Sequence, residues 1–239
     1  MDTFVRDYIS ELDQRWGEVD ILIEQAEKCI EENLLLYNAL CRSISILMVS
    51  HMEGFMKDIT RNVIQDINNN LDFHQIPHSI KRTFCIGYLG SENSSAHRIE
   101  NMIADFSEYK DVKLKPEHFL VKDNKNPKPQ LIKDILAGFG ISDIFQNLHS
   151  SFFDNTFESS QKASRNLNRL KNIINIVTSK FPYDGSINRF NLNKEKYRNR
   201  TLWQEFLDNL NQNRHKIVHG NMFDNIDSIN EIKLRLDKV

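Results

Sequence analysis

The chain has 239 residues, a formal net charge of −2, 40% hydrophobic residues and 27% charged ones. That hydrophobicity excludes a disordered chain, and 8 Gly with 5 Pro exclude low-complexity sequence. The length suits one domain, or two small ones, with a real core.

Gly and Pro are scarce and apolar residues recur at three and four, so the expected fold class is all-α, a multi-helix bundle. Helix one is expected near 3–31, with Phe4, Tyr8, Leu12, Trp16, Val19, Ile23, Ala26 and Ile30 as its stripe. Helix two is expected near 34–68, with Tyr37, Leu40, Cys41, Ile44, Met48, Met52, Phe55, Ile59 and Val63 inward. A turn at Glu32-Asn33 makes these two a long antiparallel pair. Pro77 opens a short helix, 78–88, stopped by Gly87 and Gly90. Residues 92–109 read as helix. Residues 110–130, with Pro116, Pro127 and Pro129, read as a lysine-rich surface excursion.

PQLIKDILAGFGI starts a helix at Pro129 and ends it at Gly138 or Gly140. Helices follow over 141–153 and 158–180, the second with Leu167, Leu170, Ile174 and Val177 inward. FPYDGSINRF (181–190) is a loop. Thr201 is an N-cap whose partner Glu205 lies one residue beyond the capping-box spacing. Its helix runs to about His219, with Gly220 as the residue beyond the end. A final helix covers 226–238. No internal repeat or domain boundary shows, so the chain reads as a single domain, 1–239.

No apolar run approaches the ~20 residues of a membrane helix; even ISILMVSHM (44–52) is broken by Ser45, Ser50 and His51. No membrane partner is expected. The start, MDTFVRDYISELDQRW, is acidic and amphipathic, unlike a signal peptide. Cys29, Cys41 and Cys85 are odd in number and widely spaced, which argues against a disulfide framework or a zinc site and for a reducing cytoplasm.

Charge is segregated. Residues 1–32 carry ten acids and three bases. Residues 162–200 carry ten bases (among them Lys162, Arg165, Arg169, Lys171, Arg198 and Arg200) against Asp184 and Glu195. Two readings are open: a solvated face that partners the acidic N-terminal region, or a track for a phosphate backbone.

The informative segment is LWQEFLDNLNQNRHKIVHGNMF, 202–223. Its stripe of Trp203, Phe206, Leu207, Leu210 and Ile217 is interrupted by Arg214, four after Leu210. An always-charged guanidinium there needs a carboxylate, a phosphate or water. His215 and His219 are four apart and share a face. A zincin pair requires Glu directly after the first His; Lys216 stands there instead, and a cation opposes metal binding. No metal or other cofactor is expected. An imidazole exchanges protons near neutral pH and a guanidinium binds phosphate, so His219 and Arg214 suit metal-free RNA cleavage. Residues five apart lie about 140° apart on an ideal helix. Either the helix unwinds before Gly220, or the pair works with groups from elsewhere, including a second chain.

NRHKIVHG (213–220) resembles the signature of the HEPN superfamily: Arg, a polar residue, three residues, then His. ILMVSHMEGFMKDI (46–59) resembles the second-helix segment of its bacterial MAE-like stand-alone branch, and NPKPQLIKDILAGFGI (126–141) the central one. Order and spacing agree over most of the chain. The resemblance implies an all-α homodimer whose Arg and His from both chains meet in one composite cleft. It implies a metal-independent endoribonuclease, with RNA as substrate, acting as a toxin or an effector of antiviral defence and abortive infection. An antitoxin or defence-system partner follows from the same likeness. Carried over, Arg214 and His219 are catalytic and His215 supports them.

Glu53 joins the catalytic candidates if it orients Arg214; the alternative is an i,i+4 surface pair with Lys57. Gly54 beside it suggests close helix approach. Substrate-binding candidates are Lys57, Asn213, Lys216, Arg198 and Arg200, with His51 a lesser one. The rival reading is a catalytically inactive HEPN-like module that binds nucleotide, nucleic acid or protein.

Overall fold

The computed structural model describes residues 2–109, 111–120, 127–149, 151–183, 199–220 and 227–238. Among these the fold is all-α, with ten α-helices and four short 3-10 segments and no strand. The helices are α1 (Phe4–Ser10), α2 (Leu12–Cys29), α3 (Leu34–Asn70), α4 (His78–Leu89), α5 (Ala96–Glu108), α6 (Pro129–Gly138), α7 (Ile144–Leu148), α8 (Ser160–Val177), α9 (Leu202–Val218) and α10 (Ile229–Leu236).

The expected first helix is broken at Glu11. Its amide turns back to Tyr8 and Ile9, tightening the last turn of α1. The other end of α1 is held by a residue distant in sequence. Asp66, buried on α3, accepts the backbone N–H groups of Phe4 (2.9 Å) and Val5 (3.1 Å). A carboxylate thus sits on the positive end of α1 and sets its direction independently of α2. Tyr183 donates to the same carboxylate at 2.6 Å.

α3 begins at Asn33, whose side chain accepts from the Leu36 amide, and α2 lies antiparallel against it. By length and composition alone α3 can cross a membrane: one 18-residue window has mean hydropathy 1.3. That departs from the expected lack of such a run. In the fold part of its apolar face is buried inside the protein. Tyr37, Cys41, Ile44 and Met48 pack with Val19, Ile23 and Ala26 of α2 and with Ile229 and Ile232 of α10. A second core forms around Ile64 and Ile67 at the other end of α3, with Phe73, Phe84, Cys85, Ile99 and Ile103.

Three local expectations change. Gly87 does not stop α4, which continues to Leu89 and ends on Gly90 at φ +79°. Gly87 is instead a contact point: a Cβ there would lie 2.5 Å from His118 Cβ. Within the lysine-rich 110–130 stretch, residues 111–120 do not form a surface excursion. Leu114 and Phe119 are buried in the second core, and Asn68 bonds both the N–H and the C=O of Leu114. Residues 121–126 lie outside the described residues. The expected 141–153 helix shrinks to α7, followed by a 3-10 segment, Phe152–Phe157.

α8 departs most from its expectation. Of its 18 residues only Ala163 is buried, and Leu167 is 45% exposed. The expected inward stripe of Leu167, Leu170 and Ile174 faces a cleft instead of a packed core.

Candidate functional site at the end of α9

Thr201 caps α9, and the capping box is complete, but through Gln204, not Glu205. The Gln204 amide donates to Thr201 Oγ1, and the Thr201 amide to Gln204 Oε1 at 3.0 Å. Leu207 and Leu210 then bury one face against the bundle, while Trp203 and Phe206 meet Phe157 edge-on. The helix ends at Val218. The His219 amide still bonds the His215 carbonyl, and Gly220 turns left-handed at φ +67°. Glycine adopts that conformation without a Cβ penalty, so the chain leaves the helix directly after His219.

This geometry sorts the candidates. Arg214 continues the face of Leu207 and Leu210 and is half-buried. His215 and His219 are exposed, and their rings stand 4.2 Å apart between centroids, tilted by 53°. The two imidazoles therefore form one exposed pair at the helix end, with the guanidinium rooted on the inward-facing side of the same turns. Lys216 is exposed beside them.

Asn213 is half-buried. It donates to Asp227 Oδ2 at 3.2 Å. Asp227 is buried and held by both terminal nitrogens of Arg235. Asp227 precedes Ser228, which caps α10 and closes a capping box with Glu231. The backbone N–H and the hydroxyl of Ser228 hold the Glu231 carboxyl below the usual carboxylate range. The Asn213–Asp227–Arg235 group fixes the end of α9 against α10, and no spacing in the sequence points to it.

Glu53 is bonded to Lys57 at 2.7 Å, the i,i+4 arrangement on α3. Gly54 has nothing within 4 Å of where its Cβ would stand, so close helix approach does not account for it among the described residues. His51 stacks near Trp16, with ring centroids 5.2 Å apart. Arg200 is ion-paired with Asp208 and starts α9, about 20 Å along the helix from Arg214. Arg198 lies outside the described residues. Part of the basic stretch is engaged internally: Lys171 pairs with Asp13 of the acidic region at 2.6 Å, Lys162 pairs with Glu158, and Arg169 lies over the Phe152 ring. No group of three or more His, Cys, Asp or Glu that could hold a metal occurs among the described residues.

Comparison with known proteins gives one match. The model of the family described as RiboL-PSP-HEPN matches residues 10–239. No curated protein and no solved structure matches the chain. The resemblance to the HEPN superfamily thus holds over nearly the whole chain, under the RiboL-PSP description in place of the MAE-like one. HEPN domains point to RNA-related or nuclease-like function. An all-α bundle whose last long helix ends in Arg214, His215, His219 and Gly220 belongs to the RiboL-PSP-HEPN family.

Proposed function

We propose that the chain is a metal-independent endoribonuclease that works as a homodimer. The observation carrying this reading is the exposed pair of imidazoles, 4.2 Å apart, on the helix turns that also carry Arg214. Arg214 holds the scissile phosphate and offsets the charge that builds on it. His219 exchanges the protons, with His215 beside it to support its orientation. The 2′-hydroxyl loses its proton to an imidazole and its oxygen attacks phosphorus. The bond from phosphorus to O5′ breaks, and O5′ takes a proton from a second histidine in its imidazolium form. The products are a 2′,3′-cyclic phosphate and a 5′-hydroxyl.

The helix geometry supports a second chain. On one helix the guanidinium and the nearer imidazoles point about 100–140° apart. Two copies facing each other across a two-fold axis bring an arginine from one to the histidines of the other. Lys216, exposed on the same turns, supplies a cation for the RNA backbone. In the cell such an activity suits a toxin or a defence effector restrained by a partner.

The test is cleavage of RNA by purified protein in EDTA, comparing wild type with His219→Ala and Arg214→Ala. Expected is activity in EDTA and a loss of about 10²–10³-fold in each variant. Dependence on added metal, or full activity in both variants, overturns the mechanism. Binding of RNA without cleavage under any condition assigns the chain to the inactive binding class.

A further inference from the structure

α8 is amphipathic yet only Ala163 of its apolar residues is buried, with Leu170, Ile174 and Val177 half-buried and Leu167 exposed. Leu167, Leu170 and Ile174 look across a cleft of about 590 Å³ toward Met52 and Phe55 of α3 and Trp203 of α9. α8 is held off the body by polar ties. Asn166 bonds the Phe152 carbonyl near one end, Lys171 pairs with Asp13 in the middle, and Thr178 at the other end accepts from Thr3. The volume lies within the ~300–1,000 Å³ of small-molecule pockets. An apolar face left beside so large a space forgoes the burial that normally holds an amphipathic helix in place.

Two polar atoms in the walls lack what their chemistry calls for. The indole Nε1 of Trp203 is buried and has no acceptor among the described residues, a state that costs free energy until an acceptor arrives. Lys238, also in the wall, donates to the Leu234 carbonyl and pairs with no carboxylate among the described residues. By contrast the cleft's other lysine, Lys171, is neutralised by Asp13.

We propose that this cleft is a binding site for a small amphipathic organic anion. Its apolar body fills the space between α8 and the wall formed by α3 and α9. Its anionic oxygens supply the acceptor that Trp203 lacks and the counter-charge that Lys238 lacks. The site is separate from the α9 terminus, since none of Arg214, His215 and His219 lines the cleft.

The chain's two tryptophans, Trp16 and Trp203, both line the cleft, so intrinsic fluorescence reports directly on its occupancy. The probes are 8-anilinonaphthalene-1-sulfonate and its uncharged counterpart, N-phenyl-1-naphthylamine. Expected is saturable one-to-one binding of the sulfonate with quenching of tryptophan emission, tighter than that of the neutral probe. Lys238→Ala should weaken the sulfonate about tenfold and leave the neutral probe unchanged. Leu167→Glu, at a position already half exposed, should weaken the sulfonate at least tenfold. Circular dichroism melts check that both variants fold, and Lys238→Ala alone suffices if Leu167→Glu does not. Equal affinity for both probes in wild type, insensitivity of the sulfonate to Lys238→Ala, or binding without tryptophan quenching overturns the proposal. Probe-driven dissociation of a dimer, read by light scattering, also overturns it and assigns the cleft to a second copy of the chain.

Discussion

The Asn213 amide donates to Asp227 Oδ2 at 3.2 Å, so the residue preceding the candidate arginine is tied to the residue preceding the α10 cap. That bond, with the Arg235 pair on the same carboxylate, positions the end of α9 from outside the helix. It gives Asn213 a positioning role at the end of α9.

The two members of this group should differ in cost. Asn213→Ala removes one hydrogen bond to a charged acceptor and should lower stability by about 1.5 kcal/mol. Arg235→Met removes both guanidinium bonds from the buried Asp227 carboxylate and should cost about 3–5 kcal/mol. Urea denaturation measures both. Equal costs would show that the carboxylate reaches water once Arg235 is gone.

A composite site across a two-fold axis predicts complementation. Arg214→Ala and His219→Ala chains, each nearly inactive alone, should regain activity when co-expressed and purified as a mixed dimer. Such a dimer keeps one guanidinium and one imidazole on opposite chains. Activity no higher than that of either parent would place both groups of a working pair on the same chain.

Two glycines should respond in opposite directions to alanine. At Gly87 the new Cβ meets the His118 Cβ at 2.5 Å and its Cα at 2.9 Å, so backbone has to move; a loss of about 1–3 kcal/mol is expected. At Gly54, inside α3 with open space around it, Gly54→Ala should gain about 0.5–1 kcal/mol. Thermal melts of the two variants check the sign.

Stability should fall in strong alkali. Burial first, and then the Asp58 carboxylate, push the Tyr8 phenol from 10.0 up to about 12, despite the opposing Arg15 guanidinium. Burial and the Asp66 carboxylate also raise the Tyr183 phenol. The folded chain keeps these protons while the unfolded chain loses them, so the stabilisation is complete below pH 10 and is lost as pH rises toward 12. Denaturation midpoints between pH 9 and 12 should drop with pH, and Tyr8→Phe should flatten the slope. A slope unchanged by the substitution would rule Tyr8 out as its source.

Helices α3, α6 and α9 were legible because their spacing and end signals are local: the Glu32-Asn33 turn, Pro129 and Thr201 at the starts, Gly140 and Gly220 past the ends. The placement of Arg214, His215 and His219 on the final turns of α9 follows from the same signals. The errors share a physical origin. The start of α1 is fixed by Asp66, the role of Gly87 comes from His118, and the tie of Asn213 from Asp227, each a contact between segments that no periodicity encodes. The α8 stripe reads as core because spacing reports amphipathicity and says nothing of what the apolar face meets. Glu53 had two readable partners, and the one on its own helix is bonded.

The 37-residue α3 is about 55 Å long and is the element common to the buried members of both cores. Near its start the Tyr37 hydroxyl accepts from the Ile229 amide of α10; near its finish Asp66 receives the first amides of α1. The earliest and latest helices of the chain are thus clamped to opposite tips of a single rod. Fraying at either tip releases one of them, and the free energy that keeps both in place is transmitted along one uninterrupted ladder of main-chain bonds.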